Sequence, residues 1–167
     1  SLTVAAHADC PVIVLRGSHD NRAQPATHGR VLVGVGEESK DSAAVRFAYD
    51  EARRRGVPVE AVRAWRCPAH ETTDHPLMAG EPARLHEERA VETLEKALRD
   101  APEDVEVRRR TVEGNARRVL VDLSHHADLL VVGARRREGH LGLQLGRVAH
   151  AALHHSACPV AVVPQPA

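Results

Sequence analysis

The sequence predicts an α/β protein in which helices cover both faces of a doubly wound, five-stranded parallel sheet, a Rossmann-like arrangement typical of nucleotide-binding proteins. Short apolar segments alternate along the chain with helical segments of about 10 to 17 residues. Two of the apolar segments, 31–35 and 129–132, are continuously apolar, as strands buried on both faces are. The alternation indicates right-handed βαβ units, whose strands run parallel.

The elements follow one another in a regular order after residue 29. We expect strands at 30–35, 57–65, 105–112, 128–134 and 159–163, and helices at about 39–55, 82–99, 116–126 and 145–155. The strands at 30–35 and 128–134 are predicted to be central. The strands at 57–65 and 105–112 alternate between apolar and polar residues and are expected nearer an edge, where arginines at 108–110 discourage edge-to-edge aggregation.

Helix ends carry recognisable signals. Ser39 and Asp41 can cap the first helix, and Asn115 is placed to cap the third. Gly56 is expected to end the first helix, and Pro159 to stop the last.

An internal repeat divides the chain. Residues 4–15 (VAAHADCPVIVL) resemble residues 152–163 (ALHHSACPVAVV), with Cys10 aligned on Cys158. The repeat predicts that residues 1–16 are the last helix end and strand of a preceding domain, that 17–29 is a linker, and that 30–165 is a complete domain. Both cysteines are expected to pack as small apolar groups before their strands.

The repeated strands are also expected to be the contact surface of the domain. The first begins at Pro11 and ends at Leu15, and the second begins at Pro159 and ends at Val163. An apolar strand left unpaired would invite aggregation. We therefore expect the two strands to pair antiparallel about a pseudo-twofold axis, or to pair with a neighbouring chain in a homodimer.

Composition excludes several classes of partner. The 167 residues have a formal net charge of zero, and aromatic residues make up 2% of them. A sequence-independent nucleic-acid binder needs excess positive charge or stacking aromatics, so we expect no nucleic-acid partner and no membrane association. Three cysteines do not make a disulfide framework and favour a reducing, cytoplasmic location.

A glycine-rich segment follows the strand at 128–134. Gly133, Gly139, Gly142 and Gly146 lead into the last helix, a context in which backbone N–H groups can approach a phosphate. The same glycines would also serve as ordinary turn residues.

Three stretches of the chain resemble the universal stress protein family over residues 29–165. They are VLVGV before a serine-containing helix start, EGNARRVLVDLSHHADLLVVGARR, and LGLQLGRVAHAALHHSACPVAVVP. The resemblance, to the second domain of a tandem-domain member, implies a role in stress response and pairing through the last strand. It also implies an adenine nucleotide, ATP with Mg²⁺, as the ligand.

The family's nucleotide-binding pattern falls on this chain only in part. A pattern of Gly, two residues, Gly, nine residues, Gly and then Ser or Thr coincides with Gly133, Arg136, Gly146 and Arg147, and the aspartate that usually ends the first strand is Gly36. The nucleotide-binding positions that the resemblance implies are Val35, Gly36, Gly133, Ala134, Arg135, Arg136, Gly146, Arg147, Val148 and Ala149.

The departures change the chemistry of that site. A side chain at position 136 blocks the close approach of backbone to phosphate, and Gly36 lacks a carboxylate to accept a hydrogen bond from ribose or base. Four arginines, Arg135, Arg136, Arg137 and Arg147, could pair with phosphate instead, or could form a solvated basic loop.

We expect a regulatory binding domain and not an enzyme, with no catalytic residues and no bound metal. His150, His154 and Cys158 have zinc-like spacing, but Pro159 ends the helix there and no fourth ligand is evident. The alternative is a nucleotide-dependent enzyme on the same fold, catalysing slow ATP hydrolysis or phosphoryl or adenylyl transfer; neither a P-loop nor a carboxylate pair for Mg²⁺ follows the strands.

Overall fold

A computed structural model describes residues 2–15, 27–37, 42–68, 81–136 and 143–165. The strands are β1 (Val12–Val14), β2 (Val31–Gly34), β3 (Val59–Trp65), β4 (Val107–Glu113), β5 (Leu129–Arg136), β6 (Leu143–Gln144) and β7 (Val160–Gln165). The helices are α1 (Leu2–His7), α2 (Ala43–Arg55), α3 (Glu81–Ala97), α4 (Ala116–Ser124) and α5 (Arg147–His155). Most of the predicted linker, 17–29, lies outside the described residues.

The strands form one sheet in the order β1-β7-β5-β2-β3-β4, with β6 attached to β5. The contacts between β7, β5, β2, β3 and β4 are all parallel, which confirms the predicted fold class. The strands predicted to be central, β2 and β5, lie side by side in the middle of the sheet.

Alternate residues of the central strands point to the two faces of the sheet. Val31 and Val33 pack with α2 and α3, while Leu32 packs with α4 and α5. All three side chains are buried, so each face of the sheet is covered by its own apolar layer. Those layers consist mainly of valine, leucine and alanine, the residues that the composition offers. Among the described residues no helix is both long and apolar enough to cross a bilayer.

The helix caps largely follow the sequence. Gly56 ends α2 with φ at 64°, and the Asn115 side chain accepts a hydrogen bond from the Arg117 amide at 3.0 Å, as predicted. At the start of α2 the capping residue is Ser42, whose hydroxyl accepts from the Val45 amide at 3.4 Å. The predicted caps at 39 and 41 lie outside the described residues.

The strand β5 is longer than predicted. It was expected to end at Ala134, but it continues through Arg135 to Arg136 because β7 pairs with it as far as Gln165 and β6 pairs with its last two residues. The start of the glycine-rich segment is therefore extended strand and not loop.

The N-terminal segment lies against the last strand. β1 runs antiparallel to β7, with Val12 opposite Val162, Ile13 opposite Ala161 and Val14 opposite Val160. Ile13 and Ala161 are also partners in the sequence repeat, so the two strands are related by a pseudo-twofold axis through that pair. Cys158 is buried as expected, but Cys10 is exposed, since nothing in the described chain covers it as the last helix covers Cys158.

The strand β3 lies further inside the sheet than its polar pattern suggests. It pairs on both sides, with β2 and with β4, so of these two strands only β4 is an edge of the sheet, and β1 is the other edge. Its polar residue Glu60 is buried and takes ion pairs from Arg30 at 2.5 Å and from Arg110 at 3.1 Å. Burial by itself raises the pKa of Glu60, but the two arginine hydrogen bonds outweigh it and hold that pKa below its usual value.

This arrangement predicts a pH-dependent contribution to stability. Because the folded-state pKa of Glu60 is lowered, its stabilisation is present above the unfolded-state pKa and is lost as the pH falls through the folded-state pKa. We expect Glu60→Gln to lower the free energy of unfolding by about 1–2 kcal/mol at neutral pH and by much less near pH 3. Urea denaturation at both values measures it. Glu106→Gln, which breaks the exposed Arg108 ion pair, is the control and should show almost no loss. An equal loss at both pH values would contradict this account of Glu60.

Candidate functional site

A cavity of about 240 Å³ opens at the carboxyl ends of β2, β3 and β5, where ligands bind in doubly wound sheets. It lies between the sheet and the first residues of α2 and α4. Its lining consists of Gly34, Val35, Gly36, Ser42, Ala44, Val62, Arg63, Ala64, Ala116, Leu120, Val132, Gly133, Arg135, Val148 and Gln165. Most of the wall is apolar, with a few polar groups that could orient a ligand.

The structure brings half of the predicted site residues to this cavity. The five that line it are Val35, Gly36, Gly133, Arg135 and Val148. Ala134 and Ala149 are buried in the apolar layer beneath α4 and α5. Gly146 caps α5 and Arg147 begins it, both exposed and away from the cavity lining. The backbone of Arg136 belongs to β5, and its side chain and residues 137–142 lie outside the described part.

Arg63 is the main site residue that the sequence did not reveal. Its Nη1 donates to the Val35 carbonyl at 3.2 Å, and its Nη2 pairs with Glu37 Oε1 at 3.2 Å. Its Nε is buried and has no hydrogen-bond partner among the described residues. The parallel register places Val62 beside Gly34 and so brings Arg63 to the end of β2, next to Gly36. No local pattern in the sequence signals that placement, because it depends on which strand pairs with which.

Gly36 leaves room at the mouth of the cavity. A Cβ atom built on it would meet no atom of the described residues within 4 Å. The place where the family pattern has an aspartate is therefore open, and Arg63 lies beside it, paired with Glu37 at the rim.

Gln165 closes the side of the cavity at the start of α2. Its Oε1 accepts from the Ala43 amide at 3.1 Å, and its Nε2 donates to the Ser42 hydroxyl at 3.2 Å. It thereby occupies the helix N-terminus, where backbone N–H groups would otherwise need a partner. The amide passes directly over Gly133, where a Cβ would come within 2.6 Å of Nε2. Gly133 thus makes space for Gln165, a role that the phosphate-loop interpretation did not include.

The electrostatics of the cavity favour an anion. Two arginines, Arg63 and Arg135, contribute to its lining, and none of the described lining side chains is acidic. Glu37 reaches Arg63 only from the rim, with its side chain 83% exposed. The described wall therefore offers guanidinium donors to a phosphate or carboxylate and no carboxylate oxygen to a cation.

The universal stress protein family model matches residues 27–164. The chain belongs to this family. It is 34% identical over 165 residues to the universal stress protein Rv2005c of Mycobacterium tuberculosis, an alignment that covers 99% of this chain and 55% of that protein. The chain thus spans about half the length of the curated relatives it matches.

Solved structures show the same fold. The universal stress protein UspA from Lactobacillus plantarum superposes with a TM-score of 0.63 at 19% identity, over 83% of this chain and 99% of that one. A universal stress protein from Archaeoglobus fulgidus, solved in complex with dAMP, superposes with a TM-score of 0.51 at 23% identity, over 80% of this chain and 96% of that one.

The zinc-like spacing in this universal stress protein domain does not become a three-ligand site. The rings of His150 and His154 lie 4.5 Å apart on α5, but Cys158 is buried beside the Ser156 hydroxyl. Burial raises the pKa of the Cys158 thiol, which disfavours the thiolate that a metal needs. Within the described ranges, no three His, Cys, Asp or Glu side chains are grouped so as to hold a metal ion.

The contact between Gly133 and Gln165 gives a testable coupling. We expect Gly133→Ala to lower the free energy of unfolding by about 1–2 kcal/mol, because the new methyl group displaces an amide held by two hydrogen bonds. In the double variant Gly133→Ala/Gln165→Ala there is no amide left to displace. Its loss in free energy of unfolding should therefore be smaller than the sum of the losses of the two single variants. Thermal and urea denaturation of the four proteins measures the coupling. Strictly additive losses would show that the two residues do not interact.

Proposed function

We propose that this universal stress protein domain is a non-enzymatic regulatory module that binds an adenine mononucleotide in the cavity at the carboxyl ends of β2, β3 and β5. The observation that carries the proposal is the charge of the cavity, which has Arg63 and Arg135 in its described wall and no described acidic side chain. The apolar wall suits a nucleobase, and the guanidinium groups suit a phosphate.

The shape of the wall supports a nucleotide of modest size. Gly36 leaves open space where ribose would lie against the end of β2, and Val62 and Val132 offer flat apolar contact. A cavity of about 240 Å³ is small for a ligand site. That size favours a mononucleotide, and the dAMP complex of the Archaeoglobus fulgidus relative supports the same class of ligand.

The charges also bear on ATP with Mg²⁺ and on catalysis. A hard cation such as Mg²⁺ needs carboxylate or other oxygen ligands, and the described wall supplies no carboxylate. Phosphoryl transfer also needs a group that positions the attacking nucleophile, and no described lining side chain is a carboxylate or a histidine. We therefore propose ligand-dependent regulation instead of turnover. The cytoplasm fits the three cysteines, all of them free thiols.

Calorimetric titration with AMP tests the binding proposal. We expect binding with a dissociation constant on the order of 100 µM in the absence of Mg²⁺, and no gain in affinity for AMP or ATP when Mg²⁺ is added. Arg135→Gln should weaken AMP binding about 10-fold or more, because one charge-assisted hydrogen bond is lost. Gly36→Phe should abolish binding, since its side chain would fill the open space without colliding with the described wall.

Arg84→Gln is the matched control, because it removes the same charge from the exposed surface of α3 and should leave the affinity unchanged. Absence of heat at millimolar AMP, or equal affinity in all four proteins, would contradict the proposal. Hydrolysis of ATP that requires Mg²⁺ and is lost in Arg135→Gln would establish the enzyme instead.

We also propose that the domain pairs through β7, with a preceding domain of a tandem chain or with a second copy. The antiparallel contact of β1 with β7 about a pseudo-twofold axis supports this, because β1 is the repeat partner of the strand it contacts. The apolar edge of β7, from Val160 to Val162, is exposed if β1 is absent.

A shortened chain that begins at residue 17 tests this pairing. Without β1, the free edge of β7 should pair with the same edge of a second copy, giving a homodimer that persists at high salt because its contacts are backbone hydrogen bonds and apolar side chains. Light scattering after size exclusion measures the mass. Val162→Pro in the shortened chain removes a ladder donor and should yield monomers. A shortened chain that folds and stays monomeric at high salt would contradict the pairing.

A further inference from the structure

A second concave surface lies on the outside of α4 and α5, away from the nucleotide cavity. It encloses about 630 Å³ and is named the basic groove here. Its lining residues are Asn115, Arg117, Arg118, Val121, Leu145, Arg147, His150, Ala151 and His155. Val121 and Ala151 are half-buried and form its apolar floor, while arginines and histidines from both helices form its sides.

The groove is cationic in a chain whose net charge is zero. Arg117, Arg118 and Arg147 are exposed, and the only ion pair that they make with described residues is the long contact of Arg118 with Asp122 at 3.7 Å. The described lining contains no acidic side chain. The acidic residues that balance these arginines must therefore lie elsewhere on the molecule.

Five acidic residues lie on α3, where Glu88 and Glu92 also pair with Arg84 and Lys96 of the same helix. The helix carries glutamates at 81, 88, 92 and 95 and Leu85 at intervals of three or four residues, which places all five on one exposed stripe. This acidic stripe is opposite Ala90 and Leu94, the residues through which α3 packs on the sheet. The side chain of Leu85 is 45% exposed, and few other large apolar side chains of the described residues are exposed.

We propose that the acidic stripe of one copy docks into the basic groove of a second copy. The signs of the charges are opposite, and Leu85 supplies the apolar side chain that the floor at Val121 and Ala151 can cover. The dimensions agree. Helices α4 and α5 have nine residues each and are about 13 Å long, which matches the roughly 15 Å from Leu85 to Glu95 along α3.

The two surfaces lie on opposite faces of the sheet, because α3 packs with one apolar layer and α4 and α5 pack with the other. A copy therefore cannot satisfy its own groove, and each copy has one groove and one stripe to offer. Such a contact is heterologous, so it builds a closed ring or an open chain of copies. It uses neither the edge of β7 nor the nucleotide cavity, so it stands or falls independently of the proposed function.

Sedimentation velocity on the whole chain and two charge-reversed variants tests the contact. The groove variant Arg117→Glu/Arg147→Glu changes the first turns of α4 and α5, where the helix dipole favours a carboxylate, so folding should be retained. The stripe variant is Glu88→Arg/Glu95→Arg. At low salt the unaltered chain should show a sedimentation coefficient that rises with concentration, and each variant alone should associate at least about 10-fold more weakly.

Mixing the two variants gives the sharpest result. Each variant keeps one intact surface, and the reversed surface of each is opposite in charge to the reversed surface of the other. An equimolar mixture should therefore associate again at low salt, and so should the chain that carries all four substitutions, in which the charges are exchanged. Arg46→Glu/Arg108→Glu is the control matched to the groove variant, with the same change in net charge at two exposed positions outside both surfaces, and should behave as the unaltered chain. High salt should abolish the association of the unaltered chain.

The proposal is overturned if the unaltered chain stays monomeric at low salt and high concentration. It is also overturned if the groove variant is monomeric while the stripe variant associates normally, because the groove would then receive a different acidic surface. Failure of the mixture to associate, with both variants folded by circular dichroism, would equally exclude a contact between these two surfaces.

Discussion

The parallel pairing of β2 with β5 is the contact on which the remaining features depend. Val31 and Val33 lie opposite Leu129 and Val131, and all four side chains are fully buried. Because the two strands run in the same direction, their carboxyl ends meet at one edge of the sheet, and the helices on either face diverge there. The cavity occupies that divergence, so the position of the site follows from the direction of two buried strands.

The charge in the cavity separates this domain from the family pattern that its sequence resembles. An aspartate would give the end of β2 a negative charge, whereas this chain has Gly36 there and Arg63 beside it. The two differences are consistent with each other. Arg63 pairs with Glu37 only at the rim of the cavity, and a second carboxylate at position 36 would engage the guanidinium donors that remain for a ligand. In the proposed function, the site therefore selects ligands that carry negative charge.

Much of the fold could be predicted from the sequence because it depends on local signals. Continuous apolar runs mark the buried strands, and Asn115 and Gly56 mark helix ends through chemistry within a few residues. The site was predicted mainly where it depends on strand ends, as at Val35 and Gly133, with Val148 of α5 as the exception. Arg63 and Gln165 were missed because their positions follow from pairing between distant strands. The same pairing carried β5 two residues beyond its predicted end.

The family motif located two glycines correctly but did not predict what each of them does. Gly133 and Gly146 match it, yet one makes room for Gln165 and the other caps a helix away from the cavity. A glycine indicates that a position requires space or a particular backbone conformation, and it does not indicate which group fills that space. The arginines of this segment also differ in position. Arg147, which replaces a motif residue, lies outside the cavity lining, whereas Arg135 lines the cavity.

The most direct test of the central claim, that the cavity at the strand ends binds an anionic nucleotide, is an amide NMR titration of the whole chain with AMP. The account predicts saturable shifts at Val35, Gly36 and Gly133, with smaller or no shifts in the basic groove residues Arg117 and His150. Unchanged spectra at millimolar AMP, or shifts confined to the basic groove, would contradict it.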